Sequence, residues 1–104
     1  RAPLTVWWAL RQRTVHVEAE ILPAPEERAE ELFAYLLRKN YTMREVTIAR
    51  GPEEGIYLAT HIPAGDVTVA RIDEVVGAIL HYADEIAAVA MTLSYPSWRR
   101  PKRG

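Results

Sequence analysis

The stretch from Ala19 to Asn40, AEILPAPEERAEELFAYLLRKN, constrains the chain most, because it turns an alternating strand into an amphipathic helix through two prolines. Neither Pro23 nor Pro25 can donate to a ladder, so the strand must end there. Pro25 suits the first position of a helix, where its missing N–H costs nothing. That choice puts Glu26 and Glu27 in the first turn and Arg38 and Lys39 in the last, each complementing the helix dipole, with Asn40 as the stop. Between them Ala29, Leu32, Phe33 and Leu36 recur at three- and four-residue spacing and form one apolar stripe. A helix with one such stripe needs a sheet to lie on.

The flanking segments supply that sheet. Residues 4–11 alternate Leu4, Val6, Trp8 and Leu10 against Thr5, Trp7, Ala9 and Arg11, and residues 14–22 set Val15, Val17, Ala19 and Ile21 against Thr14, His16, Glu18 and Glu20. A turn at Gln12-Arg13 gives the pairs Leu10/Val15, Trp8/Val17, Val6/Ala19 and Leu4/Ile21, which gather the apolar side chains on one surface. Gln-Arg lacks the Gly or Asn that two-residue turns prefer, so a longer loop or a bulge stays open. Residues 43–50 and 56–62 read as a second hairpin across GPEEG, Val46 and Ile48 facing Thr60 and Leu58, with Gly51, Pro52 and Gly55 supplying the turn chemistry. After Pro63, Gly65 and Asp66, Thr68 is the N-cap of a helix reaching about Met91, with the stripe Ile72, Val76, Ile79, Ala83, Ile86 and Ala90 flanked by Val75 and Leu80. Residues 92–98 either add a short strand or trail along the surface. The order is ββαββα, an α+β fold with helices packed on an antiparallel sheet.

With 104 residues, 49% hydrophobic and 26% charged, the chain has the balance of one globular domain, expected over residues 1–98, with 99–104 as a flexible basic tail. Arg99, Arg100, Lys102 and Arg103 carry the tail's charge, so the body is acidic although the formal net charge is −1. The absence of cysteine excludes disulfides, thiolate metal sites and thiol catalysis. No uninterrupted apolar run approaches the ~20 residues of a membrane span, and RAPLTVWW lacks a signal peptide's apolar core, so a soluble, cytoplasmic protein is expected. A start at Arg1, three residues before a strand, suggests a segment cut from something longer.

The segments RQRTVHVEAEILPAPEE (11–27), ELFAYLLRKN (31–40), IYLATHIP (56–63) and DEVVGAILHYADE (73–85) together resemble the YbjN family of bacterial sensory transduction regulators, in its actinobacterial branch. The resemblance implies a type III secretion chaperone-like fold, here without the N-terminal helix and strand that precede the ββαββα set. Arg71 also departs from the acidic residue common at its position. Type III chaperones are dimeric protein-binding modules, so the resemblance implies a homodimer and a protein partner rather than an enzyme. Without the preceding elements, strand 4–11 is expected to be a bare edge carrying two tryptophans, open to pairing.

Candidate partner-binding residues follow from exposure and charge. Glu26, Glu27, Glu30 and Glu31 form an acidic patch, either a solvated helix start or a contact for a basic partner; Glu26/Glu30 and Glu27/Glu31 would be like-charge i,i+4 pairs. Glu18 and Glu20 extend that patch if their strand leaves its polar face open. Trp7 points away from the core face if Trp8 points into it, and Tyr35 and Tyr57 are expected to be partly exposed. Gly77 interrupts a good helix opposite its stripe, either as a tolerated surface glycine or as the close approach of a second helix. His16, His61 and His81 lie on different elements without ligand spacing, so neither metal nor general-base chemistry is read into them. No cofactor, phosphate loop or nucleophile triad is present, and the tail is too small a footprint for nucleic acid. The reading is a non-enzymatic, chaperone-like or adaptor module in bacterial signalling or stress regulation. The alternative is a small enzyme or ligand-binding domain using the polar sheet face, with His16 and Glu18 as its acid/base candidates.

Overall fold

The computed structural model describes residues 4–98. Its elements are β1 (Trp7–Leu10), β2 (Thr14–Leu22), α1 (Ala29–Thr42), β3 (Thr47–Arg50), β4 (Ile56–Pro63) and α2 (Val69–Leu93), with short 3-10 turns at Pro52–Glu54, Ala64–Asp66 and Pro96–Trp98. All strand pairs are antiparallel, and the order across the sheet is β1-β2-β4-β3. This is the expected α+β arrangement of four strands and two helices. The tail at 99–104 lies outside the described residues.

Hairpin register follows the apolar pattern. Trp8 pairs with Val17 and Leu10 with Val15, while Leu4 and Val6 stay outside the ladder and pack on the core. The turn is tight: Arg11 N–H donates to Thr14 O at 2.7 Å, and neither Gln12 nor Arg13 adopts positive φ. Ala64 N–H donates to Arg13 O, tying this turn to the end of β4. In the second hairpin Ile48 opposes Leu58, as its alternation requires, but the left-handed backbone falls on Glu53 and Glu54, at φ 56° and 62°, and not on the glycines.

An irregularity between Glu20 and Leu22 corrects the predicted pairing of Ile21. The extra residue shifts the alternation, so Leu22 pairs with Ile56 and is buried while Ile21 is only half-buried. The core then joins Val17, Ala19, Leu22, Leu58 and Ile62 of the sheet to Leu32 and Leu36 of α1 and Val75, Ile79, Ala83, Ile86 and Ala90 of α2. Both helices therefore cover one face. By length and composition α2 could cross a bilayer, but here its stripe is spent on the sheet. Thr68 caps it as expected, its side chain accepting from Arg71 N–H at 3.1 Å. Arg71 itself pairs with Glu45.

The proline junction behaves differently from its local signals. Helix α1 begins at Ala29, so Pro25, Glu26 and Glu27 precede it and the i,i+4 carboxylate pairs do not form. A tertiary clamp outweighs the proline's preference for a helix start. Ser94 O accepts from the N–H groups of Glu26 (2.9 Å) and Glu27 (3.3 Å), and the Glu26 carboxylate accepts from Ser97 N–H and Oγ. Tyr95, fully buried, donates its hydroxyl to Pro23 O at 2.6 Å. Held this way, the chain enters α1 through Arg28 in the left-handed region, at φ 51°. The segment 92–98 is thus neither strand nor trailing end. At its other end α1 passes Asn40, whose amide exchanges two hydrogen bonds with the backbone of Ile48 and ties helix to edge strand.

Two predictions follow. Burial pushes the Tyr95 phenol up to about 12, helped by Glu26 and opposed by Arg50. A raised phenol pKa means the neutral form is favoured on folding, so its contribution is intact below pH ~10 and lost as pH rises through 12, a loss of about 2–3 kcal/mol when complete. Tyr95→Phe should remove that increment from the pH dependence of the urea midpoint, and cost about 1 kcal/mol at pH 7 for the lost hydrogen bond. Gly77 is exposed in mid-helix with open space where a Cβ would stand, so Gly77→Ala should raise stability by about 0.5–1 kcal/mol in the same assay.

Candidate functional site

The face of the sheet turned away from the helices carries the side chains of interest, and the register says which of them meet. One row runs from Trp7 on β1 through Glu18 on β2 and Ala59 on β4 to Thr47 on β3. A second joins Glu20, Tyr57 and Ala49, and a third joins Ala9, His16 and His61. Among the described residues no helix covers this face, because the buried side chains of α1 and α2 pack on the opposite one. Trp7 is 65% exposed.

At the centre is a hydrogen-bonded chain that sequence spacing did not indicate. His16 Nε2 lies 2.7 Å from Glu18 Oε1, and His16 Nδ1 lies 3.0 Å from His61 Nε2. An ionised carboxylate only accepts, so a neutral His16 would carry its proton on Nε2 and leave Nδ1 to accept from His61 Nε2–H. The expectation that the histidines stand apart is corrected for this pair: the central β2/β4 pairing places His16 opposite His61. His81 stays separate on α2, 3.4 Å from Glu85. Among the described residues, no group of three or more His, Asp or Glu side chains is arranged to hold a metal ion.

Next to this chain Glu20 and Tyr57 are seated by glycines. A Cβ at Gly51 would meet the Tyr57 ring, and one at Gly55 would meet the Glu20 carboxylate. Burial holds the Tyr57 phenol above its ordinary range, and the negative charges of Glu20, Glu18 and Glu53 hold it there further. The face is therefore electrically negative around Tyr57.

The remaining predicted residues lie elsewhere. Glu26 and Glu27 belong to the clamp, while Glu30 and Glu31 stand in the first turn of α1, where Arg28 pairs with Glu31 and holds its carboxyl below the usual range. Tyr35 is half-buried against the core, and a Cβ at Gly77 would meet nothing within 4 Å among the described residues. Trp7, Glu18, Glu20 and Tyr57 are thus brought together, and the helix-start glutamates are not part of that group.

Two positions expected on the apolar surface of the first hairpin, Trp8 and Leu10, are exposed instead, and Leu37 and Tyr41 are not singled out by the sequence. Leu10 is 77% exposed on edge strand β1, and Leu37 and Tyr41 are exposed on α1, where Leu37 borders a groove of about 260 Å³ shared with Ile48 and Ile56. A larger groove, about 500 Å³, opens between Leu4, Ile21, Leu22 and the Ala83–Met91 part of α2, with Trp98 at its side.

No protein-family model matches the chain. It is 27% identical over 86 residues to uncharacterised proteins of Mycobacterium tuberculosis and Mycobacterium bovis, an alignment covering 83% of this chain and 47% of theirs. The chain thus spans about half the length of these curated relatives. In structure it is similar to a chain of the heterodimeric ExoU–SpcU complex from the type III secretion system of Pseudomonas aeruginosa, with a TM-score of 0.70, 13% identity, and coverage of 88% of this chain and 74% of that one. The fold is that of a type III secretion chaperone.

The hydrogen-bonded chain makes a direct prediction. Nitrogen-15 long-range NMR at neutral pH should find His16 as the Nε2–H tautomer, and Glu18→Gln should shift that tautomer balance while the His61→Ala spectrum retains it.

Proposed function

We propose that this chain is a non-enzymatic protein-binding module, chaperone-like or adaptor in type, which works as a homodimer in the bacterial cytoplasm and belongs with the YbjN-like regulators. The observation that carries the reading is the fold shared with a chain of a heterodimeric secretion-system complex, combined with an apolar edge that such a fold can offer to another chain. Among the described residues, strand β1 has a neighbour only on the β2 side and presents Trp7 and Leu10 to solvent, the arrangement that invites strand addition.

A second reading, ligand binding or catalysis on the polar sheet face, draws on the Glu18–His16–His61 chain, which resembles an oriented acid/base pair. Among the described residues no hydroxyl is hydrogen-bonded to either imidazole, and the binding reading has the shared fold and the apolar edge behind it.

A photo-crosslinking residue at position 10 should capture a protein neighbour in cells, and light scattering should give the mass of a dimer. Leu10→Lys should weaken both associations at least tenfold while leaving the circular dichroism spectrum unchanged, because a charge on an edge strand opposes pairing without touching the core. A monomer at high concentration that crosslinks to nothing would overturn the proposal.

A further inference from the structure

The uncovered sheet face is built to receive positive charge. Its rows place an aromatic ring beside a carboxylate twice: Trp7 next to Glu18, and Tyr57 next to Glu20. Ala59 continues the Trp7–Glu18 row beside Tyr57 and leaves a low position there, while Ala49 flanks Tyr57 on its own row and Ala9 stands one row beyond Trp7. Glu18 spends Oε1 on His16, and among the described residues no cation pairs with Glu20. Gly51 and Gly55, at the β3–β4 turn, leave open the space that the Tyr57 ring and the Glu20 carboxylate occupy, and a side chain at either glycine would displace them.

From this arrangement we infer that the face recognises an extended segment of a partner protein that carries arginines at alternate positions. Glu18 and Glu20 are two residues apart on one strand, about 6.7 Å along it, and an extended ligand repeats its side chains at the same interval. The guanidinium group is planar, stacks on an indole or phenol ring and forks onto a carboxylate, so one arginine can engage Trp7 with Glu18 and the next Tyr57 with Glu20. Lysine offers a point charge without the stack and fits less well. The inference deepens the protein-binding reading and rests on it, but it concerns a different surface from the β1 edge.

The test uses the nitrogen-15-labelled 104-residue chain titrated with a synthetic peptide of core Thr-Arg-Val-Arg-Thr, alongside a citrulline version and a version with adjacent arginines. The Arg-x-Arg peptide should bind most tightly, weaken with salt, and move the amides of Trp7, Glu18, Glu20 and Tyr57. Trp7→Ala should reduce affinity roughly two- to five-fold, the size of an exposed cation–π contact. Glu20→Gln should reduce it roughly three- to five-fold, and the double change with Glu18→Gln at least tenfold. Gly55→Ala, which displaces the Glu20 carboxylate without altering charge, should weaken binding as Glu20→Gln does. Equal binding of the citrulline peptide, shifts confined to Leu10 or to the groove at Met91 and Trp98, or no binding would overturn the inference. If position 10 still crosslinks a partner in that event, the binding-module reading stands and only the assignment of this face falls.

Discussion

The clamp between Ser94-Tyr95 and residues 23–28 decides where the two halves of the chain meet. A carbonyl at the end of α2 takes two N–H groups from the proline junction, and the buried Tyr95 hydroxyl reaches a third backbone group there. Each bond adds only about 1 kcal/mol net, but each polar group it satisfies would cost more if buried unpaired. No buried side-chain polar atom among the described residues lacks a partner. The clamp also sets the direction in which β2 hands over to α1, and so the angle at which Leu32 and Leu36 reach the core. A junction that looks like a local affair of two prolines is in fact held from the far end of the sequence.

One extra residue at the end of β2 has a comparable reach. Because side chains alternate strictly along a strand, the shift between Glu20 and Leu22 moves Leu22 into the core and leaves Glu20 on the open face, two positions from Glu18. A regular strand would bury Ile21 in its place and leave Leu22 exposed. The irregularity lets the strand end in the core while its carboxylates stay together outside. Packing and surface charge are settled by the same backbone feature.

What could be read in the sequence was whatever depends on near neighbours. The Trp8/Val17 and Leu10/Val15 pairs, the Ile48/Leu58 pair and the Thr68 cap follow from period-2 alternation and one hydroxyl, and all are present. The start of α1 was misplaced because Pro25 and its glutamates satisfy every local rule for a helix start, while their partners lie about seventy residues away. His16 and His61 seemed unrelated for the same reason. Their meeting needs β2 and β4 to be neighbours, a pairing between the two hairpins that no turn signal specifies. Of the candidate residues, the four on the open sheet face were legible as outward-facing from alternation, but their assembly into rows was legible only from register.

The edge and the open face are not independent surfaces. Strand β1 stops at Trp7, opposite Glu18, so the next row, that of Glu20 and Tyr57, has no β1 member. Beyond Trp7 the flank of β2 borders the groove lined by Leu4, Ile21 and Leu22, with Glu20 at its rim. A segment adding to the edge of β1 and continuing past Trp7 would therefore run over an apolar groove and alongside the Glu20 carboxylate, which no cation among the described residues pairs. Apolar area supplies binding energy without direction, whereas carboxylates in register with a strand supply direction and select charge. A chain that must hold an extended partner in one register needs both, and the early end of β1 is what places them side by side.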